Sequence, residues 1–422
     1  MEKYLEKLPK DFKDLIYSVR DLADNKGLPV YIVGGLVRDL FLGFKNLDLD
    51  IVVEGDGISF AEDFSRRHRA KLIRHRRFGT ATVILNPGLK IDIATARKES
   101  YPEPACLPQV SPGTLKDDLF RRDFSINAMA IKISGSGSGR LIDLFKGRDD
   151  LISRKIRVLH GLSFVDDPTR ILRAARFEKR YNFHIESRTL GLLKEASQNR
   201  MLEKVEPQRL RDELILILKE DDPLKLIRRI KTLVGLRFIS ANLLLSGRSE
   251  RLLSNIAKEI AWFKKVHTRR RQLDFWLIYF MGILDCLSVG DTGKVCKKFV
   301  FSRGEEKRII NYKRLSHRFI LTLSKSKLSP ADIYTLLEPL SYEVIILLKA
   351  RYKNPYLDKH IRDFLEHYNG IRLHISGDDL GRLGLKPGPH YQKIFKKVLK
   401  ARLNGLINTR EEELNLIKKI VH

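Results

Sequence analysis

The chain has 422 residues, 43% of them hydrophobic, and carries 80 Lys and Arg against 52 Asp and Glu, a formal charge of +28. That length exceeds one typical hydrophobic core, so roughly two to four domains are expected, and the positive excess asks for a polyanionic partner, nucleic acid before membrane. Three scattered cysteines exclude a disulfide framework and a C-x-x-C metal site, and eleven histidines with neither H-x-x-x-H spacing nor a His-Asp doublet exclude a zinc site or an appended metal-dependent phosphohydrolase domain.

The opening stretch, MEKYLEKLPKDFKDLI, is an amphipathic helix pattern of mixed charge without the apolar core of a signal peptide, and a cytoplasmic protein is expected. Next, PVYIVGG reads as a strand, LVRDLFLG as a helix and LDLDIVV as a second strand. The Gly34–Gly35 pair lets backbone N–H groups approach an anion at the helix N-terminus, with Arg38 one turn further on. At strand spacing Asp48 and Asp50 project from one face about 7 Å apart, while Leu47, Leu49 and Ile51 face the other way. Paired hard oxygen ligands suit Mg²⁺, and the segment reads as a nucleotidyl-transfer site.

A helix around Phe60 to Arg69 precedes the strands TATVIL and LKIDIAT, so residues up to about 140 form an α+β palm. Asp92 in the second of these strands is either a third acidic group near the metal or a structural carboxylate. In RRDFSINAMAI, Phe124, Ile126, Ala128 and Ala130 alternate as a strand core, leaving Asp123, Ser125 and Asn127 on the other face, where a carboxylate and an amide can bond ribose hydroxyls and Arg122 can reach a phosphate. SGSGSG (residues 134–139) reads as a flexible hairpin turn or short connector, and LIDLFKGRDDL offers Asp143, Gly147 and Asp150 as turn formers and caps. In DDPTRILRAARF the Asp-Pro step predicts Asp167 as a helix N-cap, but a cap leaves Arg170, Arg173 and Arg176, at successive i+3 steps, unexplained. EPQRLRDEL places Arg209 and Glu213 at i and i+4, a helix pair supporting a neck.

Beyond about residue 150 the pattern is helical, without a repeat that would signal a solenoid. The longest apolar run, FWLIYFMGIL, is too short to cross a bilayer and reads as a buried helix; with no lipidation signal and no lysine run beside an apolar span, no membrane partner is expected. Between Arg251 and Pro330 there are 18 Lys/Arg against 6 Asp/Glu. The run Arg269 to Arg271 is either a solvated face or a phosphate contact.

GGLVRD followed by LDLDI resembles the signature of the nucleotidyltransferase superfamily that includes DNA polymerase beta, and more narrowly the bacterial tRNA CCA-adding enzymes and poly(A) polymerases. RRDFSINAMAI, LIDLFKGRDDL, DDPTRILRAARF and EPQRLRDEL agree with that family in order, and ISGDDLGRLGLKPGPHYQKI resembles its tail. The resemblance implies an α+β head at 1–140, then an all-helical neck at 141–220, body at 221–330 and tail at 331–422 that binds tRNA. It implies Asp48 and Asp50 as catalytic metal ligands for Mg²⁺, and nucleotide-binding roles for Gly34, Gly35, Arg38, Arg122, Asp123 and Asn127. By the same resemblance Asp167 and Arg170 template the incoming base, with Arg173 and Arg176 near the triphosphate. The chemistry agrees, since cytosine and adenine both present an amino donor beside a ring acceptor. The implied activity is addition of C and A from CTP and ATP to the tRNA 3′ end, with tRNA held through its acceptor and T arms. A CC-only or A-only enzyme, a poly(A) polymerase and a silent RNA-binding protein are the alternatives. RHRRFGTATVIL, which looks like the CCA-adding version of its strand, speaks against the poly(A) polymerase, and intact Asp48 and Asp50 speak against the silent protein.

Overall fold

A computed structural model describes residues 8–44, 48–85, 88–266 and 273–421. It is an α+β protein whose chain divides into two compact units, Met1–Phe238 and Ile239–His422.

The first unit begins with α1 (Lys10–Asn25), β1 (Val30–Val33), α2 (Gly35–Leu42), β2 (Leu49–Val53) and α3 (Gly57–Arg67). β3 (Lys71–His75), β4 (Thr80–Ile84) and β5 (Lys90–Thr95) follow, then a separate antiparallel ribbon of β6 (Arg97–Ser100) and β7 (Gln109–Pro112). After α4 (Leu115–Phe120) come β8 (Ala130–Lys132) and β9 (Leu141–Ile142). Seven strands make one sheet in the order β3-β4-β5-β2-β1-β8-β9. Its one parallel pair is β2 with β5, where Asp50 stands level with Asp92 and Val52 with Ala94. Tyr31 lies opposite Val52 and Val33 opposite Ala130, so these apolar residues share a face with the two aspartates and pack on Leu115 and Leu119 of α4.

Local chemistry explains the breaks. Gly34 (φ 72°) turns β1 into α2, and Gly43 (φ 74°, left-handed) ends that helix. Asp56 accepts from the Ile58 and Ser59 N–H groups and starts α3. The turn at 134–139 is an anchored hairpin connection: buried Ser134 accepts from the Val30 N–H at 2.8 Å and donates to the Leu28 carbonyl at 2.8 Å.

The strand expected through RRDFSINAMAI is not formed. Ser125–Asn127 is a 3-10 turn, and pairing resumes at Ala130. All three turn residues are buried, so no face was left for solvent, and their polar groups turn inward. The Ser125 hydroxyl donates to Asp150, its N–H donates to the Arg157 carbonyl at 2.9 Å, and the Asn127 amide donates to Asp123 at 2.8 Å.

Helices then dominate: α5 (Gly147–Ile152), α6 (Ser163–Asp166), α7 (Thr169–Arg180), α8 (Ser187–Gln198), α9 (Met201–Lys204), α10 (Pro207–Leu218) and α11 (Pro223–Val234). A short parallel pair, β10 (Lys155–Ile156) with β11 (His184–Ile185), interrupts the expected all-helical stretch. Asp143 caps α5 by accepting from the Gly147 and Arg148 N–H groups, whereas Asp150 is a buried partner of Arg157 rather than a cap. Gly147 itself is a packing glycine, because an added Cβ would lie 2.3 Å from the Ser125 carbonyl oxygen.

The second unit contains α12 (Gly247–Val266), α13 (Phe275–Ile283), α14 (Val289–Lys298), α15 (Arg303–Lys313), α16 (His317–Leu323), α17 (Pro330–Leu337), α18 (Tyr342–Arg351), α19 (Pro355–Asp363), α20 (Gly377–Arg382), α21 (Pro389–Leu403) and α22 (Arg410–Val421). α13 is buried from Trp276 to Ile283 and packs against α12 and α18, as its apolar sequence requires. Ile375, Leu380, Ile394, Val398, Ile407 and Ile417 form a small core of their own near the C-terminus. Among the described residues no helix is long and apolar enough to cross a membrane. The arginine run at 269–271 lies outside the described residues.

Candidate active site

The end of the sheet concentrates negative charge. Asp48 immediately precedes β2, Asp50 lies on it, and Asp92 stands beside Asp50 on β5 while accepting from the Thr82 hydroxyl at 2.5 Å. Burial pushes the Asp50 carboxyl up to about 6; Arg122 opposes this, and the charges of Asp92, Asp48 and Asp118 reinforce it. Among the described residues no group of three or more His, Cys, Asp and Glu is arranged to hold a metal ion unaided.

Gly34 closes the approach to this end of the sheet. A Cβ there would lie 2.6 Å from Arg122 Nη1 and 3.6 Å from Asp50 Oδ2, so only glycine lets the turn, the guanidinium and the carboxylate meet. Arg122 is steered by Asp118, a fully buried carboxylate that accepts from it at 2.9 Å and from Arg121 at 2.6 Å. Burial alone would raise the Asp118 carboxyl, yet Arg122 and Arg121 hold it below the usual range. Among the described residues the buried Arg122 Nε has no hydrogen-bond partner.

Arg38 is already engaged within the protein. It is buried, donates to Asp39 at 2.8 and 2.9 Å and to Asn127 Oδ1 at 2.6 Å, and lies 4.8 Å from the centre of the Tyr181 ring. Asn127 in turn donates to Asp123. Asp123 accepts from Arg173 at 2.6 and 2.9 Å; burial pushes its carboxyl up, but the charge of Arg173 and the bonds from Asn127 and Arg173 outweigh it and bring it down to about 2. These residues order one another, and their free edges face the cleft.

On α7, Arg173 also donates to Glu213 at 3.1 Å, and buried Arg176 reaches the other oxygen of Glu213 at 3.3 Å. The i,i+4 pair expected between Arg209 and Glu213 is therefore absent. Glu213 serves α7, because meeting the buried guanidinium of Arg176 and the half-buried one of Arg173 is worth more than an exposed helix pair returns. Arg209 turns to Asp167 instead, donating to its Oδ1 at 2.8 Å. The same oxygen accepts from the Thr169 N–H at 3.1 Å and hydroxyl at 2.6 Å, so Asp167 does tie down the start of α7. Among the described residues its other oxygen, Oδ2, has no hydrogen-bond partner. Arg170 donates to the Ser163 hydroxyl and the Arg121 carbonyl, each at 2.7 Å.

All of this surrounds two clefts in the first unit. One, of ≈ 420 Å³, is lined by Gly34, Gly35, Arg38, Asp50, Arg122, Asp123, Asn127, Asp167, Arg170 and Arg173, by Arg209, which the sequence offered only as a helix partner of Glu213, and by Glu99, Tyr101 and Arg121, which the sequence alone did not single out. The other, of ≈ 790 Å³, holds Asp48, Arg176, Arg180 and Tyr181 and shares Gly35, Arg38, Asp50, Arg173 and Phe177 with the first. A site with anionic ends, guanidinium walls and an aromatic floor can hold a nucleotide with its phosphates toward Asp50.

Comparison with known proteins gives the same direction. The family pattern described as "Poly A polymerase head domain" matches residues 30–157, and "Probable RNA and SrmB- binding site of polymerase A" matches residues 182–234. The chain is similar to the A-adding tRNA nucleotidyltransferase of Geobacter sulfurreducens, 38% identical over 98% of this chain and 47% of that protein. It is also similar to the A-adding tRNA nucleotidyltransferase of Halalkalibacterium halodurans, 30% identical over 98% of this chain and 93% of that one. It thus spans about half the length of the first relative and nearly all of the second. Among solved structures, the Thermotoga maritima CCA-adding enzyme complexed with tRNA-CCA superposes with a TM-score of 0.76 at 34% identity, covering 99% of this chain and 98% of that one.

Proposed function

The chain belongs to the tRNA nucleotidyltransferase and poly(A) polymerase family, and on that premise we propose that it adds C and A residues from CTP and ATP to the 3′ end of tRNA without a nucleic-acid template, releasing pyrophosphate. The observation that carries this reading is the single cleft that Asp50, Asp167 and Arg170 line together. The 1–140 segment would act as the catalytic head, 141–220 as the neck that reads the base, and the body (221–330) and tail (331–422) as the tRNA-holding part.

Asp48 and Asp50 are the residues that would hold Mg²⁺. Two hard carboxylates, one of them raised by burial among like charges, fit an ion that completes its shell with water and substrate phosphates, and no third protein ligand is required. When bound, the metal would supply charge neutralisation at the α-phosphate and lower the pKa of the attacking 3′-hydroxyl. The chain's own residues do the positioning. Gly34 and Gly35 would let backbone N–H groups approach the phosphates, Arg122 would offer its guanidinium from the cleft wall, and Arg173 and Arg176 would stand on the triphosphate side. Asp123 and Asn127 fix Arg173 and Arg38 in place. Asp167 Oδ2 accepts from the exocyclic amino group of C or A, and Arg170 donates to the ring nitrogen beside it. Uracil and guanine present a carbonyl and a ring N–H there, which leaves buried groups unpaired at a cost of about 1–3 kcal/mol each.

A narrower reading, addition of A alone, is favoured by one observation: two relatives that match 98% of this chain are A-adding enzymes. One experiment decides between them. Transcripts of tRNA ending before C, CC and CCA are incubated with each labelled triphosphate in turn. CMP and AMP incorporation at the first two ends supports full CCA addition, AMP on the CC end alone supports the narrower activity, and untemplated runs of A on any RNA would replace both with poly(A) synthesis.

A further inference from the structure

The second unit has a cleft of its own, ≈ 570 Å³, between α14 and α15. Five cations line it, Lys294 and Lys297 from α14 and Arg303, Lys307 and Arg314 from α15 and its end, against the single carboxylate of Glu306. What distinguishes these cations is their lack of partners. Between residues 289 and 314 the other basic side chains are engaged: Arg308 with Asp274 and Glu343, Lys313 with the Asp285 carbonyl, Lys298 over the Phe299 ring. Of the five in the cleft only Lys294 has an ion pair, with Asp291, on its exposed side. Among the described residues Lys297, Arg303, Lys307 and Arg314 have none.

This is the reverse of the first unit's cleft, where Arg121, Arg122, Arg173 and Arg209 each meet a carboxylate. Like charges gathered round a cleft without neutralisation repel one another, so the arrangement is stabilised by an anion that the protein does not supply. The cations form two rows, one on each helix, with Lys294 and Lys297, and Arg303 and Lys307, about 5–6 Å apart within their rows and Arg314 two turns beyond Lys307. Such a track fits a chain of phosphates better than a single ion enclosed at one point. We propose that the α14–α15 cleft is a binding site for the phosphodiester backbone of the RNA substrate. The proposal rests on the RNA-directed activity argued above and adds to it a named contact surface.

The test compares the full chain with a Lys297→Ala/Arg303→Ala/Lys307→Ala variant, binding a tRNA transcript that lacks its CCA end, between about 50 and 200 mM salt. Each lost phosphate contact removes a little under one unit from the slope of log K against log salt, so the slope should become shallower by about 2–3 and the affinity at the lower salt should fall at least about tenfold. Arg303→Lys, which keeps the charge, should retain the wild-type slope, and an unchanged far-ultraviolet circular dichroism spectrum would show that the triple variant is folded. Unchanged slope and affinity in the folded variant would overturn the proposal. So would a variant that loses calorimetric binding of inorganic phosphate but holds tRNA as before, because the ligand would then be a free anion. The outcome is separable from the activity itself: a wild-type chain that binds tRNA through this cleft yet extends no 3′ end leaves the cleft in place and removes the proposed reaction.

Discussion

One oxygen of Asp167 is taken by Thr169 and Arg209, and the other has no hydrogen-bond partner among the described residues, so a single substitution separates its two proposed duties. Asn at this position still caps the helix, since Asn and Asp are comparable caps. It replaces one acceptor by an NH₂ donor, however, and the preference for CTP over UTP should fall by roughly 10–200-fold in direct competition on a tRNA lacking CCA. An unchanged preference would return Asp167 to capping alone. At the sheet end, Asp48→Ala or Asp50→Ala should reduce incorporation by more than about 100-fold, beyond the 10–100-fold that supporting groups of a metal site typically cost, with tRNA affinity unmoved. Activity within about tenfold of wild type would dismiss the metal site. Asp123 gives a pH signature. Its carboxyl is lowered to about 2 in the fold against a usual 3.8, so the stability it contributes is complete above about pH 4 and is lost as pH falls from there through 2. Acid unfolding of Asp123→Asn, normalised to its own stability at neutral pH, should be flatter across that window than that of the wild type. The Asp48/Asp50 pair was readable because its spacing alone puts both carboxylates on one face. The partners of Asp167 and Arg173 were not, because Arg209 and Glu213 lie some forty residues downstream and no local period reports on them.

At the scale of elements, the junction between β1 and α2 tolerates only glycine. Gly34→Ala would pay for a positive φ and also drive a methyl group into Arg122, displacing the guanidinium from Asp50. Loss of activity should exceed loss of stability, and the ratio of the two can be read from kcat against Tm in the same preparation. α7 and α10 are held together by one carboxylate. Glu213→Gln takes the shared carboxylate from buried Arg176 and half-buried Arg173, a change worth about 3–5 kcal/mol and hence about 6–20 °C in the melting temperature of a unit this size. A shift under 2 °C, about what ~1 kcal/mol would give, would show that the arginines find other partners. Long elements such as α12 and α13 were legible from apolar period and composition. The Ser125–Asn127 turn was mistaken for a strand because its alternation is real while its hydrogen bonds go to Asp150 and Arg157 rather than to a neighbouring strand. Periodicity reports which side chains are buried, and where both faces are buried it ceases to discriminate.

For the whole molecule, a charge of +28 spread over two units predicts that RNA binding depends steeply on salt and is indifferent to anticodon sequence. A minihelix of acceptor and T arms alone should therefore be extended; if it is inert where full tRNA reacts, the assignment of body and tail to that half of the tRNA is wrong. The chain of charges from Asp123 through Arg173, Glu213 and Arg176 to Glu220 has a consequence over generations rather than turnovers. Each inner member answers to two neighbours, so a lone replacement leaves its neighbours short of one partner each, and the order in which substitutions arrive decides whether a lineage survives them. Sequences that wander from this one should exchange these positions in matched sets or not at all, and a laboratory selection for altered nucleotide choice should recover its first tolerated changes at the outer wall, around Arg209 and Tyr101, before any in that chain.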